Sequence, residues 1–375
     1  MTAPTTIRPL LRAATALAPA VLSVLLLAAA PSALAATTAG ASGPGRPAAA
    51  GAPSEGATSP APGATPPPAA SPEHAKLTVL RAGGDPLFTT VGERIVVRGV
   101  ISSYLNGQRV TLSFRRDGRQ VAERVLRLSA RRDGSAHFEV PFKSHYAGSI
   151  QAQLAAHLGA GSVLRAKAPA VQYVHTELGP GSSGASVRLL QSELNRLHYA
   201  LPLSGVFDEG TGRALIAFRK MTSLERIAYA GPSVFSRLAH GGGAFHVRYP
   251  HDGRHVEANL TKQVLAEIEP GGRVREIYEI SSGKPSTPTV VGRFSVYLKT
   301  PGVNEKGMVD SNYFIRGYAI HGYPEVPTYA ASHGCLRVPI PDAASIFAWV
   351  RVGTPVDVYD QGAGGSTHVR GNAGP

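Results

Sequence analysis

The sequence predicts a multidomain protein: an all-β sandwich, then a small three-helix bundle, then a β-rich C-terminal domain. In residues 75–175 and again in 245–360, apolar and polar residues alternate, which is the period-two pattern of strands. Between them, in residues 176–241, apolar residues recur at intervals of three and four, which is typical of helices. The middle segment therefore separates two β-rich domains.

The N-terminal 35 residues have the organisation of a signal peptide. Arg8 and Arg12 precede an apolar stretch over 13–30, and Ala33-Leu34-Ala35 offers a small-x-small cleavage site. Such a segment predicts a secreted protein at the cell wall. An uncleaved membrane anchor is the alternative, because the apolar stretch approaches the length that spans a bilayer, and only then do we expect membrane contact.

Two further segments are predicted to be disordered, a linker over 36–74 and a tail over 361–375. The linker is nearly all Ala, Pro, Gly, Ser and Thr, which bury too little apolar area to offset the entropy of ordering. The whole chain carries a formal net charge of +13. Because no helix carries a dense basic stripe, we expect anionic wall polymers or phospholipid headgroups rather than nucleic acid as counter-charges. A composition set by a GC-rich genome is the alternative.

The first folded unit, residues 75–175, shows short alternating runs separated by turn pairs such as Asn106-Gly107, Asp117-Gly118 and Asp133-Gly134. This spacing resembles that of immunoglobulin-like sandwiches. No motif in the unit carries chemistry, so a spacer or an interaction module is predicted. The predicted runs lie at 77–79, 95–97, 110–114, 121–128, 138–142 and 150–154.

The second unit, residues 176–241, predicts one helix through Val187 and Leu197 and another from about Thr211 to Phe218. It resembles the three-helix peptidoglycan-binding repeat of bacterial wall hydrolases, with Asp208 and Arg219 as departures from that pattern. A helical bundle that only spaces the other domains is the alternative. The matching residues are Gly181 to Gly184, Val187, Leu190, Gln191, Gly205 to Phe207, Thr211, Ala214 and Phe218.

In the third unit, residues 245–360, strands are predicted at 256–260, 264–268, 274–280 and 294–298. A short helix is predicted from Pro341 to Val350, with the Asp342 carboxylate as its N-terminal cap. Thr354 to Val358 predicts a final strand.

Cys335 is the one cysteine of the chain, so it cannot form an internal disulfide. His321 and His333 are the candidate partners that would lower the thiol pKa and carry the proton. On an extended strand, His333 would share a face with Cys335 but with poor in-line geometry, whereas His321 can approach from a separate strand. A buried inert thiol and a zinc site formed by these three residues are the alternatives.

Gly334 and Ser332 complete the immediate surroundings of the cysteine. A glycine lets substrate approach the backbone, so the amides of Gly334 and Cys335 are candidates for an oxyanion hole. Ser332 is expected to hold the turn by hydrogen bonding.

The pattern Ile320-His321-Gly322, then Ser332 to Arg337, then Asp342 resembles the signature of L,D-transpeptidases with a YkuD-type catalytic domain. Further matches lie at 261–265, 281–285, 287–289 and 292–294, so the resemblance covers about 115 residues. It implies Cys335 as nucleophile and His321 as proton donor and acceptor. It also implies that His333 supports the tetrahedral intermediate and that the Gly322 carbonyl orients His321.

The resemblance implies acyl transfer from a donor tetrapeptide stem of peptidoglycan, through a Cys335 thioester, to give a 3→3 cross-link without cofactor or metal. An L,D-carboxypeptidase with the same site and a non-catalytic wall-binding protein are the alternatives. Peptidoglycan stem peptides and glycan are the expected partners.

Three further residues are candidates for substrate binding. Arg337 could bind a substrate carboxylate or form an ion pair with Asp342. Tyr313 and Tyr318 could form one wall of the donor site or pack in the core.

Residues 299–312 are predicted to form a mobile lid, for which an ordinary surface loop is the alternative.

Overall fold

The computed structural model describes residues 74–157 and 161–361. The predicted signal peptide, nearly all of the linker and nearly all of the tail lie outside the described residues. No helix in the described part of the chain is long and apolar enough to cross a membrane.

Residues 75–174 form two β-sheets that share one apolar core. One sheet has the order β1-β3-β6, and the other has the order β2-β9-β7-β4-β5 with β8 added to β7. Six strands coincide with predicted runs, whereas the short β2, β8 and β9 were not predicted. The strands are β1 Ala75–Leu80, β2 Phe88–Thr90, β3 Arg94–Ile101, β4 Val110–Arg116, β5 Arg119–Leu126, β6 Ala136–Lys143, β7 Gly148–His157, β8 Val163–Lys167 and β9 Val171–Val174.

Three helices follow: α1 Ala185–Arg196, α2 Glu209–Met221 and α3 Pro232–Ala239. The two departures from the repeat pattern have structural explanations. Asp208 is the N-cap of α2, where its carboxylate accepts the Thr211 N–H at 2.8 Å. The Arg219 guanidinium donates to the backbone carbonyls of Glu225 and, at 2.9 Å, Tyr229, so it holds the loop after the helix.

The C-terminal domain is β-rich as predicted, with two sheets around a common core. One sheet has the order β12-β11-β10-β18-β13 and the other β14-β15-β16-β17. The predicted strand 294–298 is wrong, because the chain changes sheets between Ser295 and Leu298. The elements are β10 His255–Asn259, β11 Val264–Glu269, β12 Arg273–Glu279, β13 Gly292–Ser295, β14 Leu298–Val303, β15 Val309–Ile315, β16 Tyr318–Tyr323, β17 Leu336–Pro339, α4 Ile340–Trp349 and β18 Pro355–Tyr359.

Two other predictions for this domain are corrected. Asp342 lies in the first turn of α4 and caps nothing, because the N-cap position is occupied by Pro339. Residues 299–312 are not an irregular surface loop, and their role as a lid stays a prediction. They form most of the β14–β15 hairpin, in which Leu298 pairs with Tyr313 and Val303 with Val309.

The three helices and the C-terminal domain share a continuous core. Leu194, Leu215 and Phe218 pack in one cluster with Val264 and Ile277 of β11 and β12. The backbone contributes as well, since the Ile277 N–H donates to the His198 carbonyl at 2.8 Å. A buried ion pair between Lys220 of α2 and Glu279 of β12, at 3.2 Å, crosses the same boundary. The helical module is therefore packed rigidly on the C-terminal domain.

Candidate active site

The thiol and the two histidines meet at the N-terminal end of β17. Strands β16 and β17 pair in parallel, with Ile320 opposite Leu336 and His321 opposite Arg337. Cys335 directly precedes β17, so it lies two residues before Arg337 along the strand next to that of His321. The parallel pairing thus brings His321 and Cys335, which are distant in the sequence, close together in space.

His321 is buried, and a hydrogen bond to the backbone fixes its tautomer. Its Nδ1 lies 2.9 Å from the carbonyl oxygen of Gly322. Because a carbonyl only accepts, Nδ1 carries the proton and the neutral ring keeps Nε2 as its basic atom. Burial lowers the pKa of His321, and the nearby Arg337 charge lowers it further, while the Gly322 bond acts in the opposite direction. The ring is therefore neutral at neutral pH.

Gly322 is required by packing. A Cβ on this residue would lie 2.8 Å from the Ala343 Cβ and 3.1 Å from the Val309 Cβ. The lack of a side chain lets helix α4 pack directly on β16. The carbonyl that binds His321 is consequently held between a helix and a strand.

Cys335 is half-buried and its thiol is neutral at rest. Burial raises the thiol pKa, and the Ala319 amide and the charges of Arg337 and Lys306 only partly oppose this effect. The expectation that a histidine lowers the resting pKa is therefore wrong. The Sγ donates weakly to the Gly317 carbonyl at 3.7 Å.

Ser332 holds the turn that presents the cysteine. Its fully buried hydroxyl donates to the Cys335 carbonyl at 2.6 Å and accepts the Gly334 N–H at 3.0 Å. The Gly334 amide is thus occupied, which corrects its predicted oxyanion role. The hydrogen bonds made within the described part of the chain include none from the Cys335 amide, so this amide remains the candidate oxyanion donor.

Gly334 adopts φ +118°, a backbone conformation that strongly favours glycine. A Cβ here would lie 1.8 Å from Cε1 of Tyr318. The space beside Gly334 is therefore filled by the Tyr318 ring, and the predicted close approach of substrate does not occur there. Tyr318 packs against the turn, whereas Tyr313 lines the cleft.

A segment with no role assigned from the sequence, residues 281–289, anchors the turn from the other side. Gly283 forms a parallel bridge with Ser332, and the Lys284 N–H donates to the Ser332 carbonyl at 2.9 Å. The Thr289 hydroxyl donates to the Gly334 carbonyl at 2.8 Å. The small hydroxylated residues in this run were the available signal, but their partner fifty residues away was not visible in the sequence.

His333 and Arg337 differ from expectation in their contacts. His333 is exposed in a bend, so the argument from an extended strand does not apply, and its Nε2 lies 3.3 Å from Lys284 Nζ. The Arg337 guanidinium lies 4.1 Å from the centre of the Tyr323 ring. The alternative ion pair with Asp342 is wrong, because Asp342 pairs with Arg213 at 3.2 Å.

These residues line a cleft of about 330 Å³. The mouth carries the positive charges of Arg337 and Lys306, and Tyr323 packs edge-on against His321 with ring centres 5.7 Å apart. Within residues 74–157 and 161–361, no group of three or more His, Cys, Asp or Glu has the geometry of a metal site. The cleft is lined by Lys306, Met308, Tyr313, Gly317, His321, Tyr323, Ser332, His333, Cys335 and Arg337.

This arrangement of a thiol, a neutral imidazole and a positively charged mouth is suited to acyl transfer through a cysteine. Residues 253–358 match the family model of the YkuD L,D-transpeptidase catalytic domain. Residues 253–358 are therefore an L,D-transpeptidase catalytic domain of the YkuD type.

Solved structures of L,D-transpeptidases are similar to this chain. One from Xylanimonas cellulosilytica is 33% identical, with 50% of this chain and 98% of that chain covered and a TM-score of 0.46. One from Stackebrandtia nassauensis is 20% identical, with 50% and 98% covered and a TM-score of 0.33. One from Mycobacterium smegmatis is 13% identical, with 77% and 100% covered and a TM-score of 0.23. A search of curated proteins finds no match.

Proposed function

We propose that this chain is a secreted peptidoglycan L,D-transpeptidase that forms 3→3 cross-links through a thioester on Cys335. The observation that carries the proposal is the parallel pairing of β16 and β17, which brings His321, with its tautomer fixed by the Gly322 carbonyl, beside the cysteine turn. The match of residues 253–358 to the L,D-transpeptidase catalytic domain supports the reaction class. The residue roles below are part of the proposal.

In the first half-reaction, the Cys335 thiol turns from the Gly317 carbonyl and attacks the carbonyl carbon of the third residue of a donor tetrapeptide. Its proton passes to His321 Nε2 as the S–C bond forms. The Cys335 amide, and His333 at the mouth, stabilise the negative oxygen of the tetrahedral intermediate. The proton then passes to the nitrogen of the departing D-alanine, and the C–N bond breaks.

In the second half-reaction, an amine on a neighbouring stem attacks the thioester. His321 Nε2 accepts the amine proton, the C–S bond breaks, and the proton returns to the Cys335 sulfur. A neutral imidazole is required at the start of both halves, which agrees with the lowered pKa of His321. A preformed peptide bond supplies the energy, so no nucleotide is needed.

Arg337 and Lys306 give the cleft a positive mouth that suits the terminal carboxylate of the donor stem. The Arg337 guanidinium has no carboxylate partner within the described residues, and its stacking on Tyr323 holds it at the mouth. Tyr313 forms part of the wall on that side.

We assign the remaining modules to wall binding. The helical module contacts peptidoglycan, and the sandwich contacts an anionic wall polymer. Residues 75–175 contain fifteen Lys and Arg against six Asp and Glu, whereas 245–360 contain twelve of each. The positive charge is therefore concentrated away from the catalytic domain, where it can hold the enzyme on a polyanion without disturbing the site.

The nucleophile is tested by intact-mass spectrometry after incubation with a carbapenem. We expect one covalent adduct on the wild-type protein and none on Cys335→Ala. His321→Ala should be acylated much more slowly, because it lacks the group proposed to accept the thiol proton. His246→Ala, which changes an exposed histidine outside the cleft, is its matched control and should acylate normally. An unmodified wild type, or a modified Cys335→Ala, contradicts the assignment.

The reaction is tested with a disaccharide-tetrapeptide as sole substrate. Dimer supports transpeptidation, and tripeptide alone supports the L,D-carboxypeptidase alternative. If neither dimer nor tripeptide forms, the alternative of a non-catalytic wall-binding protein is favoured.

A further inference from the structure

We propose that the groove between the helical module and the catalytic domain binds the acceptor stem peptide and delivers its amine to the thioester. This inference rests on the proposed transpeptidase function and adds a location for the second substrate. The groove has a volume of about 680 Å³, which lies in the range of ligand sites of roughly 300–1,000 Å³.

The groove has one wall from each domain. Phe207, Gly212 and Ile216 contribute from the helical module, while Val326 and Ile340 contribute from the catalytic domain. Ile340 is 40% exposed, although it is a large apolar residue. These surfaces suit the methyl groups of an alanine-containing peptide lying in an extended conformation.

Tyr323 joins the groove to the catalytic cleft. It lines both spaces, and it is the residue that contacts His321 edge-on and carries the Arg337 guanidinium on its face. A ligand in the groove is therefore one side chain away from the base. The attacking amine must give its proton to His321, so this is the side from which an acceptor should enter.

The two spaces have opposite electrostatic character. Arg337 and Lys306 make the cleft positive. In the groove, Glu279 is paired with Lys220, and Arg213 is paired with Asp342. The negative charges of Asp208 and Glu209 have no ion-pair partner among the described residues. Glu209 is exposed and makes no ion pair within the described residues. The cleft thus favours the carboxylate of the donor stem, and the groove favours the amine of the acceptor.

The groove is preformed because its walls are fixed to each other. The bidentate Arg213–Asp342 pair, with both contacts at 3.2 Å, and the buried Lys220–Glu279 pair join the two domains, and Arg213 and Glu279 also line the groove. The loop after Tyr323 is also held, since the Arg226 guanidinium of the helical module donates to the Thr328 carbonyl. A rigid groove lowers the entropy cost of positioning the second substrate.

The first test changes the charge of the groove. With disaccharide-tetrapeptide as substrate, Glu209→Lys should lower the dimer-to-tripeptide ratio about tenfold. The amount of dimer should fall, whereas the amount of tripeptide should not. Glu177→Lys, an exposed carboxylate of the same module outside the groove, should leave the ratio within about twofold of wild type. An unchanged ratio in Glu209→Lys overturns the inference.

The second test fills the groove. Gly212 lies in α2, where an added Cβ would make only an ordinary contact at 3.5 Å from the Ala228 Cβ. Gly212→Leu should therefore place a side chain in the groove and lower dimer formation about tenfold while a carbapenem still acylates Cys335. Ser192→Leu, at an exposed position of α1 outside the groove, is the control and should form dimer as wild type does.

Acylation of Gly212→Leu also shows that the variant is folded. If Gly212→Leu forms dimer as well as Ser192→Leu does, the groove does not bind the acceptor. If wild type is not acylated at all, the proposed function fails instead, so the two failures are distinguishable.

Discussion

The sandwich and the catalytic domain are both built from two sheets around an apolar core, but they differ in what they bury. Among the described residues, the sandwich buries two polar side chains, Thr89 and Ser144, whereas the catalytic domain buries fifteen. In the described part of the sandwich no charged side chain is buried, and basic residues outnumber acidic ones. In the catalytic domain acidic and basic residues are equal in number, and some of the charged side chains are buried.

The comparison teaches where specific chemistry can be built. A buried polar group is costly unless it is hydrogen-bonded, so each one fixes the position of its neighbours. Gln263, Ser282 and Ser332 do this around the cysteine turn, through the Gln263–Ser282 bonds and the bonds of Ser332. The sandwich has few such constraints, which suits a binding surface rather than a reaction site.

The largest expected effect comes from breaking the cysteine turn. Gly334→Ala would combine a positive φ with a clash against Tyr318, and we expect carbapenem acylation to fall by at least about a hundredfold. Gly353→Ala is the control, because it has φ +88° but nothing within 4 Å of the added Cβ. Stopped-flow acylation of both variants measures the difference, and equal rates would contradict the packing argument.

A smaller effect is expected from breaking the buried ion pair between Lys220 of α2 and Glu279 of the catalytic domain. Glu279→Leu leaves Lys220 buried without its partner, and we expect a loss of about 3 kcal/mol in the free energy of unfolding. Arg98→Met breaks the exposed sandwich pair Arg98–Glu139 and should cost under about 1 kcal/mol. Urea denaturation compares them. A Glu279→Leu variant no less stable than Arg98→Met would contradict the contrast between the domains.

The pH dependence of acylation tests the buried imidazole. Because the folded-state pKa of His321 lies below 6.5, the ring stays neutral as the pH falls past 6.5 and becomes protonated only below its own pKa. The acylation rate should therefore hold past that pH and then fall about tenfold per pH unit. Arg337→Gln should move this acid limb to higher pH, since the Arg337 charge lowers the pKa. A limb that begins above pH 6.5 in wild type would contradict the assignment.

The smallest expected effect concerns the sandwich surface. Arg119, Arg124 and Arg127 are exposed on and after β5, an edge strand. Changing all three to Gln should weaken binding to a polyglycerol-phosphate polymer by about threefold to tenfold at low salt. Acylation of Cys335 should not change. Binding that is insensitive to these arginines, or to added salt, would remove the proposed role.

Much of the architecture could be predicted from local patterns. The period-two runs located six sandwich strands, the three- and four-residue spacing located α1 and α2, and the motif around Cys335 predicted the family. The split of 294–298 between two sheets was not visible, because apolar alternation continues across the break. The hairpin over 299–312 was missed because its Pro and Gly residues are typical of loops.

The sequence by itself determined the chemistry available to this protein, because the types of residue around one thiol are fixed by local spacing. The tertiary structure decided how that chemistry is arranged. It placed His321 beside the cysteine by parallel strand pairing, filled the space at Gly334 with Tyr318, and paired Asp342 with Arg213 instead of Arg337. These contacts join residues from about fifteen to more than a hundred positions apart, and only the packing of strands and helices brings them within bonding distance.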